Sequence, residues 1–361
     1  MGTTKTRRKN RLMQNKCLLV TPLMSGFIKN DINIISKKYN LSLNTYDWTK
    51  AKNTPFYLIS QFLFLLLNIR KFDIIIIQFA GYWSLLPSIF GKLFNVPVII
   101  ISHGTDCAKL PSFDYGSLRK RWLKMFCIKS FEYCTLICPV SESLIKAKNE
   151  FHENQSEINQ GILSFIPDLN TPFKVIYNGL DIDFWTDNYS TKIKNSFLAV
   201  FSEKQFYLKG GDLIFEMAKR FPSFTFKIAG MYKPSFNVPH NVHFLGIISK
   251  EKLKIEYHNS EYYFQLSAFE GFGLSLCEAM LCGCIPIGSS VNMIPDIIGQ
   301  SGYVLKRRNP HELECIIKDA CKQNKVYNSN LAKMAKERVN TKFDLIFREN
   351  KLLNTIEYSI K

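Results

Sequence analysis

A few side chains of this 361-residue sequence have types and spacings that could do chemistry. Glu270 and Glu278 flank the segment Glu-Gly-Phe-Gly-Leu-Ser-Leu-Cys-Glu, the first before a loop with Gly271 and Gly273, the second among Leu276, Cys277, Ala279, Met280 and Leu281. A carboxylate taken into so apolar a setting costs several kcal/mol unless it is hydrogen-bonded, so Glu278 is expected to have a specific partner, for which a ligand would serve. The pair could hold hydroxyls of a sugar and a ribose, or act as the acid and base of a glycosidase, and the spacing along the chain leaves both open. Between them, Gly271, Phe272, Gly273, Leu274 and Ser275 read as a glycine loop entering a helix. Such a loop lets a phosphate approach the free N–H groups at the helix start, though a plain tight turn would look the same. Lys209, beside Gly210 and Gly211 and five residues after Lys204, could hold a diphosphate or be a solvated lysine near a cap. His103, in His103-Gly-Thr-Asp106 after an oily run, is either a site residue or a buried cap, and Gly26 has a similar place after the first apolar run. No G-x-G-x-x-G follows that run, which argues against a nicotinamide-dinucleotide site.

To bring these residues together the chain must place strand ends side by side. The run Asp73-Ile-Ile-Ile-Ile-Gln78 is the pattern of a strand buried on both faces, and such runs imply a parallel sheet. Around it, strands are predicted at 17–21, 41–46, 96–102 and 136–140, and helices at 27–39, 55–70, 82–95, 117–133 and 141–149. Regular alternation stops over 151–172, and a short strand and turn follow from Lys174 to Trp185. It then restarts with strands at 197–201, 225–229, 242–245, 262–266, 285–287 and 302–305. Helices are predicted at 212–220, 250–259, after Gly273, and at 292–298 and 310–324, with two closing helices at 329–340 and 343–357. This is an α/β chain of two doubly wound, Rossmann-like domains facing a cleft, where sheets of this kind bind ligands. The boundaries are set at 1–174 and 175–342, with 343–361 expected to pack back on the first domain.

The formal net charge is +17, and the excess is uneven: residues 1–180 hold 23 Lys+Arg against 11 Asp+Glu, the rest 24 against 19. A basic first domain implies anionic partners: phosphorylated small molecules, nucleic acid or the negatively charged inner membrane leaflet. No dedicated nucleic-acid motif accompanies the charge, so no nucleic-acid partner is expected. The helix with Arg119, Lys120, Arg121 and Lys124 interleaves cations with Trp122, Leu123, Met125 and Phe126, as an interfacial helix would; a solvated helix packed on its own sheet is the equal alternative. The basic start (Lys5, Arg7, Arg8, Lys9, Arg11) lacks a following cleavage site and is not read as a signal peptide. The oily stretch Phe56 to Ile69 is shorter than the roughly 18 to 20 residues needed to cross a bilayer. The ten cysteines show no paired C-x2-C pattern and read as small core residues of a reducing compartment rather than zinc ligands or disulfides.

With these residues assembled, the chain resembles the GT-B glycosyltransferases, in particular the large retaining family, group 1 or family 4, typified by bacterial polysaccharide and lipopolysaccharide enzymes. The strongest match is Ser267-Ala-Phe-Glu-Gly-Phe-Gly-Leu-Ser-Leu-Cys-Glu-Ala-Met280 with Gly283-Cys-Ile-Pro286, which is similar to the family's E-x7-E segment. Val175-Ile-Tyr-Asn-Gly-Leu-Asp181, Lys209-Gly210, Gly230 and His103-Gly104 support it. The resemblance implies that Glu270 contacts donor-sugar hydroxyls, Glu278 the ribose, Gly271 to Leu274 the phosphate and sugar, and Lys209 the diphosphate. His103 would line the reaction centre and Gly26 the acceptor or phosphate loop. Lys204 stands where the family usually has an arginine, and Asp296 follows Pro295 where an acidic residue is usual. The implied activity is retaining transfer of a hexose-like sugar from a nucleotide diphosphate sugar to a carbohydrate or lipid-linked acceptor, with no metal or other cofactor. The implied place is the cytoplasm, peripheral on the inner face of the membrane. Two alternatives stay open: a nucleotide-sugar epimerase or hydrolase on the same fold, and a non-catalytic basic membrane-binding protein.

Overall fold

A computed structural model describes residues 15–48, 50–186 and 192–361; the basic residues from Lys5 to Arg11 lie outside that range. The first domain begins β1 (Lys16–Thr21), α1 (Gly26–Ser36), β2 (Asn40–Thr45), α2 (Thr54–Asn68), β3 (Ile74–Gln78), α3 (Tyr82–Phe94), β4 (Val98–Ser102), α4 (Arg121–Tyr133) and β5 (Leu136–Pro139). The five strands are parallel in the order β2-β1-β3-β4-β5. Every residue of β3 and β4 is buried, which is why these runs are almost wholly β-branched rather than alternating. Chain order reverses between β1 and β3, the point at which an open α/β sheet leaves a crevice at its carboxyl edge.

Two expectations fail in this half. The predicted helix over 141–149 is a single turn at Glu142–Leu144 followed by β6 (Ala147–Lys148), paired antiparallel with β7 (Asn159–Gln160). Its residues are used for cross-domain bonds instead: Ser141 Oγ donates to Gly271 O (2.7 Å) and Asn149 Nδ2 to Ala268 O (2.7 Å). The predicted helix 117–133 is also broken, with one turn at Ser117–Arg119, an extended Lys120 and α4 starting at Arg121.

Short helices α5 (Ile162–Phe165) and α6 (Ile182–Trp185) bridge to the second domain. There follow β8 (Ile193–Val200), α7 (Gly211–Arg220), β9 (Thr225–Ala229), β10 (Val242–Gly246), α8 (Lys250–Asn259), β11 (Ser260–Gln265), α9 (Leu274–Leu281), β12 (Ile285–Ser289), α10 (Ile294–Ile298), β13 (Tyr303–Leu305), α11 (Pro310–Lys322), α12 (Lys325–Lys342) and α13 (Leu345–Ile360). The second sheet is parallel in the order β10-β9-β8-β11-β12-β13, with its own reversal between β8 and β11.

The chain crosses between domains twice, and the crossings are tied: Leu180 N donates to Phe343 O (2.8 Å) and Leu345 N to Leu180 O (2.9 Å). Beyond that tie α13 packs on α1 and β3 of the first domain. It is anchored there by Arg348, whose Nε and Nη2 reach Asp31 Oδ1 and Oδ2 at 2.6 and 2.7 Å with both side chains buried. All ten cysteines are free thiols, eight of them buried.

Candidate active site

The two crevices face each other. One cavity of about 240 Å³ is lined by Phe27, Phe79 and His103, which follow β1, β3 and β4, and by Val200 and Gln265 at the ends of β8 and β11. The same cavity takes in Lys209, Glu270 and the segment Phe272 to Ser275 from the second domain, and Asn178 from the crossing. The domains meet where His103-Gly104 abuts Gly271. A Cβ built on Gly271 would lie 1.9 Å from the His103 carbonyl oxygen, so this contact accepts no side chain.

On the second-domain wall, Glu270 leaves β11 through a loop held by its own backbone, Glu270 N donating to Asn292 Oδ1 at 3.1 Å. Its Oε2 accepts from Gln265 Nε2 (2.7 Å) and is ion-paired with Lys209 Nζ. The lysine and the carboxylate predicted for diphosphate and sugar therefore share one locus, both side chains 15% exposed. Gly273, at φ 112°, turns the chain into α9, whose first N–H groups open at the cavity.

Glu278 lies further along α9 and does not line this cavity. Its observed partner is a protein group, Tyr257, whose hydroxyl donates to Oε2 at 3.2 Å. Burial pushes the Glu278 carboxyl up to about 7, against the opposing pull of Tyr257 and Lys250.

The first-domain wall is built around His103. Its ring packs at a tilt against both Phe27 and Phe79, with centroids 4.6 and 4.5 Å away. Phe79 holds its place at φ 61°, a backbone conformation that bulky residues rarely adopt. The turn after His103 is gathered by buried Asp106, whose carboxylate accepts from the backbone N–H groups of Ala80, His103 and Gly104 at 3.0 to 3.2 Å. Burial, with Arg348 nearby, lowers the His103 pKa well below its ordinary value, so the ring is neutral.

Its tautomer follows from a buried chain of hydrogen bonds. Asp31, paired with Arg348, can only accept, so Gln78 turns its amide nitrogen to Asp31 Oδ2 (2.9 Å) and its oxygen to His103. His103 Nε2, 2.6 Å from Gln78 Oε1, must then carry the proton. Nδ1 is left as a bare acceptor with no protein partner, as is Asn178 Oδ1; both are buried, and both residues line the cavity.

Not all predicted residues converge. Lys204 is exposed on a turn at Glu203–Gln205 and does not line the cavity. Gly26 opens α1, exposed with open space around it, while its neighbour Phe27 reaches the cavity. Asp296 lines a separate space with Glu142, Tyr177 and Arg338. The four cations of the basic segment do not share one open face. Arg119 is ion-paired with Asp114 at 2.6 Å, and Lys124 lies over the Phe165 ring, whereas Lys120 and Arg121 are exposed. Sequence reasoning missed Asp31, Gln78, Asn178 and Arg348. The one available signal was a polar residue ending or interrupting an apolar pattern, as Gln78 ends its isoleucine run. Among the described residues, no three His, Cys, Asp or Glu side chains are grouped to hold a metal ion.

Two parallel α/β domains closed over such a cleft make this a GT-B fold, and solved structures agree over nearly the whole chain. Anabaena HepE, crystallised in complex with UDP and glucose, superposes with a TM-score of 0.71 at 15% identity, covering 95% of this chain and all of that one. The sucrose-phosphate synthase of Thermosynechococcus elongatus superposes with a TM-score of 0.70 at 12% identity, covering 95% and 99%. Residues 184–338 match the model of glycosyl transferases group 1, and the second domain belongs to that family. In sequence, 75 residues are 32% identical to the O-antigen chain mannosyltransferase B of Escherichia coli. That stretch is 21% of this chain and 19% of the relative, so the match spans about a fifth of either protein.

Proposed function

We propose that this protein is a retaining glycosyltransferase that moves a hexose from a nucleoside diphosphate sugar to a carbohydrate or lipid-linked acceptor in cell-surface polysaccharide or lipopolysaccharide assembly. One observation carries the reading: the cavity joins Lys209, ion-paired with Glu270, and the amino end of α9 to two residues, His103 and Asn178, whose buried acceptors have no protein partner. Lys209 and the amino end of α9 suit a diphosphate, while His103 Nδ1 and Asn178 Oδ1 await hydroxyl donors, which a sugar has in abundance. Glu270, fixed by Lys209 and Gln265, offers its carboxylate to further hydroxyls. As the bond from anomeric carbon to phosphate breaks, negative charge grows on the leaving diphosphate, and Lys209 with the α9 N–H groups stabilises it without a metal ion. Neutral His103 cannot repel the positive character that develops at the anomeric carbon. A UDP-bound neighbour and mannosyltransferase relatives support a nucleotide-sugar donor. The basic first domain supports work at the anionic inner face of the membrane, in the cytoplasm.

The test is to screen nucleotide sugars for stabilisation of the purified chain, then to follow turnover with and without carbohydrate acceptors, reading the product's anomeric configuration by NMR. Acceptor-dependent transfer with retention is expected. Turnover indifferent to acceptor would assign a hydrolase or epimerase instead, and no nucleotide binding would leave a non-catalytic membrane protein.

A further inference from the structure

Helix α2 has two apolar faces, and only one is covered. Gln61 and Leu65 are buried against the first domain, with Gln61 Nε2 bonded to Asn44 Oδ1 (2.9 Å) and Trp83 O (3.1 Å), so the helix cannot roll. On the other side Phe56, Ile59, Phe62, Leu63, Leu66 and Leu67 are exposed, Phe56 and Leu67 by 69% and 74%. At about 100° per residue these six fall within an arc of about 140°. Soluble monomers rarely leave so continuous an apolar strip in water. We propose that this face of α2 is the surface by which the protein seats on an anionic lipid membrane.

The occupant is indicated by charge. Lys50 is paired with Asp47 at 3.2 Å and Asp73 accepts from Lys16 N, but Lys52 stands exposed before α2 and Arg70 and Lys71 stand exposed after it, so the apolar strip still carries cations at both ends. Lys92 and exposed Leu93 on α3 adjoin the Arg70 end, where the guanidinium lies 5.2 Å from the Phe94 ring. A second copy of this chain seated on the strip would set cations against cations whether the helices ran parallel or antiparallel. Lipid headgroups neutralise both ends while the acyl region takes the apolar side chains. The helix, 15 residues and so about 22 Å long, is shorter than the hydrocarbon core. No helix among the described residues is long and apolar enough to cross a membrane, so α2 lies in the membrane plane. It starts after the carboxyl end of β2, the edge of the sheet from which His103 also leaves. Seating on α2 therefore sets the cleft edge near the lipid surface, where a lipid-linked acceptor would be found. The cations of the segment 119–124 do not share one open face: Lys124 packs over Phe165 and Arg119, on the turn before α4, is paired with Asp114.

This inference rests on the membrane association proposed above but not on sugar transfer. Its test is flotation of the full chain with phosphatidylcholine vesicles containing phosphatidylglycerol, against phosphatidylcholine alone. Leu63→Glu with Leu67→Glu is expected to lower partitioning on the order of 100-fold. Arg70→Gln with Lys71→Gln should lower it about tenfold and flatten its salt dependence, while Arg121→Gln with Lys124→Gln leaves it within about twofold. Phe56→Trp should report a blue-shifted emission on the anionic vesicles alone. Far-UV circular dichroism and nucleoside diphosphate binding in solution check that each variant is folded. Membrane binding that survives the Leu63 and Leu67 changes would overturn the role of α2 while leaving membrane association standing. Failure of the unaltered chain to bind either vesicle would overturn both. A dimer that the same double substitution dissociates, with no vesicle binding, would assign the face to a second copy.

Discussion

Replacing Gln78 by Leu separates the tautomer of His103 from everything else in the site. The substitution removes the acceptor 2.6 Å from Nε2 and leaves Asp31 still held by both arms of Arg348. A buried N–H without a partner costs about 1 to 3 kcal/mol. At 1.4 kcal/mol per factor of ten, the preference for the Nε2–H form then falls by roughly fivefold to somewhat over a hundredfold, and a proton on Nδ1 becomes competitive. Nδ1–H would be equally unpartnered, so the two tautomers approach equal population; in the Nδ1–H form that atom can no longer accept, and kcat/KM for transfer is expected to fall about two- to tenfold. The assay pairs transfer kinetics with nitrogen-15 NMR of the histidines, in which protonated and bare ring nitrogens are distinct, and with urea denaturation. Gln78→Glu should act in the opposite sense on the charge. A carboxylate beside Nε2 raises the His103 pKa from its depressed value, so activity should be lost as pH falls, at a higher pH than in the unaltered protein. Unaltered kinetics and nitrogen shifts in Gln78→Leu would refute the reasoning. A slower enzyme with unchanged shifts and reduced stability would assign Gln78 to folding alone.

Other consequences can be measured alongside. Gly271→Ala places a Cβ 1.9 Å from the His103 carbonyl oxygen, so the domains cannot close as they do here. Transfer should drop at least about 100-fold, with a larger radius of gyration by solution scattering and nearly unchanged helix content. Lys209→Ala removes the cation paired with Glu270; the donor KM should rise about 10- to 100-fold, and an unchanged KM would remove Lys209 from diphosphate binding. Arg348→Met leaves the buried Asp31 carboxylate uncompensated and should cost about 3 to 5 kcal/mol in urea denaturation, whereas Arg348→Met with Asp31→Leu should recover a good part of it. Because burial raises Glu278 to about 7, its carboxylate is mostly protonated at pH 6. If it accepts ribose hydroxyls, nucleotide affinity should rise about tenfold from pH 6 to 8, and Glu278→Gln should abolish that slope. For folding the sign is opposite: the raised carboxyl makes this group's contribution less favourable as pH climbs from about 4.5 to 7.

Much of the architecture was legible because a strand buried on both faces must be apolar throughout, and the isoleucine runs at 74–77 and 99–101 leave little else to be. The helix boundaries near Lys250–Asn259 and after Gly273 were legible for local reasons, a Ser249 cap bonded to Lys252 N and a glycine at positive φ. The stretch 141–149 misled because its composition is compatible with a helix, whereas its backbone and side chains are claimed by β7 and by carbonyls of the other domain. Local preference is worth tenths of a kcal/mol per residue, and tertiary partners outweigh it.

By itself the sequence determined the two sheets and the segment from Glu270 to Glu278, because both depend on neighbours within a few residues: burial period, glycine at a turn, an acid at a fixed spacing. Only the tertiary structure decided what those acids and bases face. Glu278 turned out to be held by Tyr257, Lys209 and Glu270 to hold each other, and the lone pair on His103 Nδ1 to be fixed by an arginine far along the chain. Asp31 and Arg348 stand 317 residues apart, and only the return of α13 to the first domain brings them into contact. Hydrogen-bond direction in a buried chain is set by its terminal member, and that member is chosen by packing.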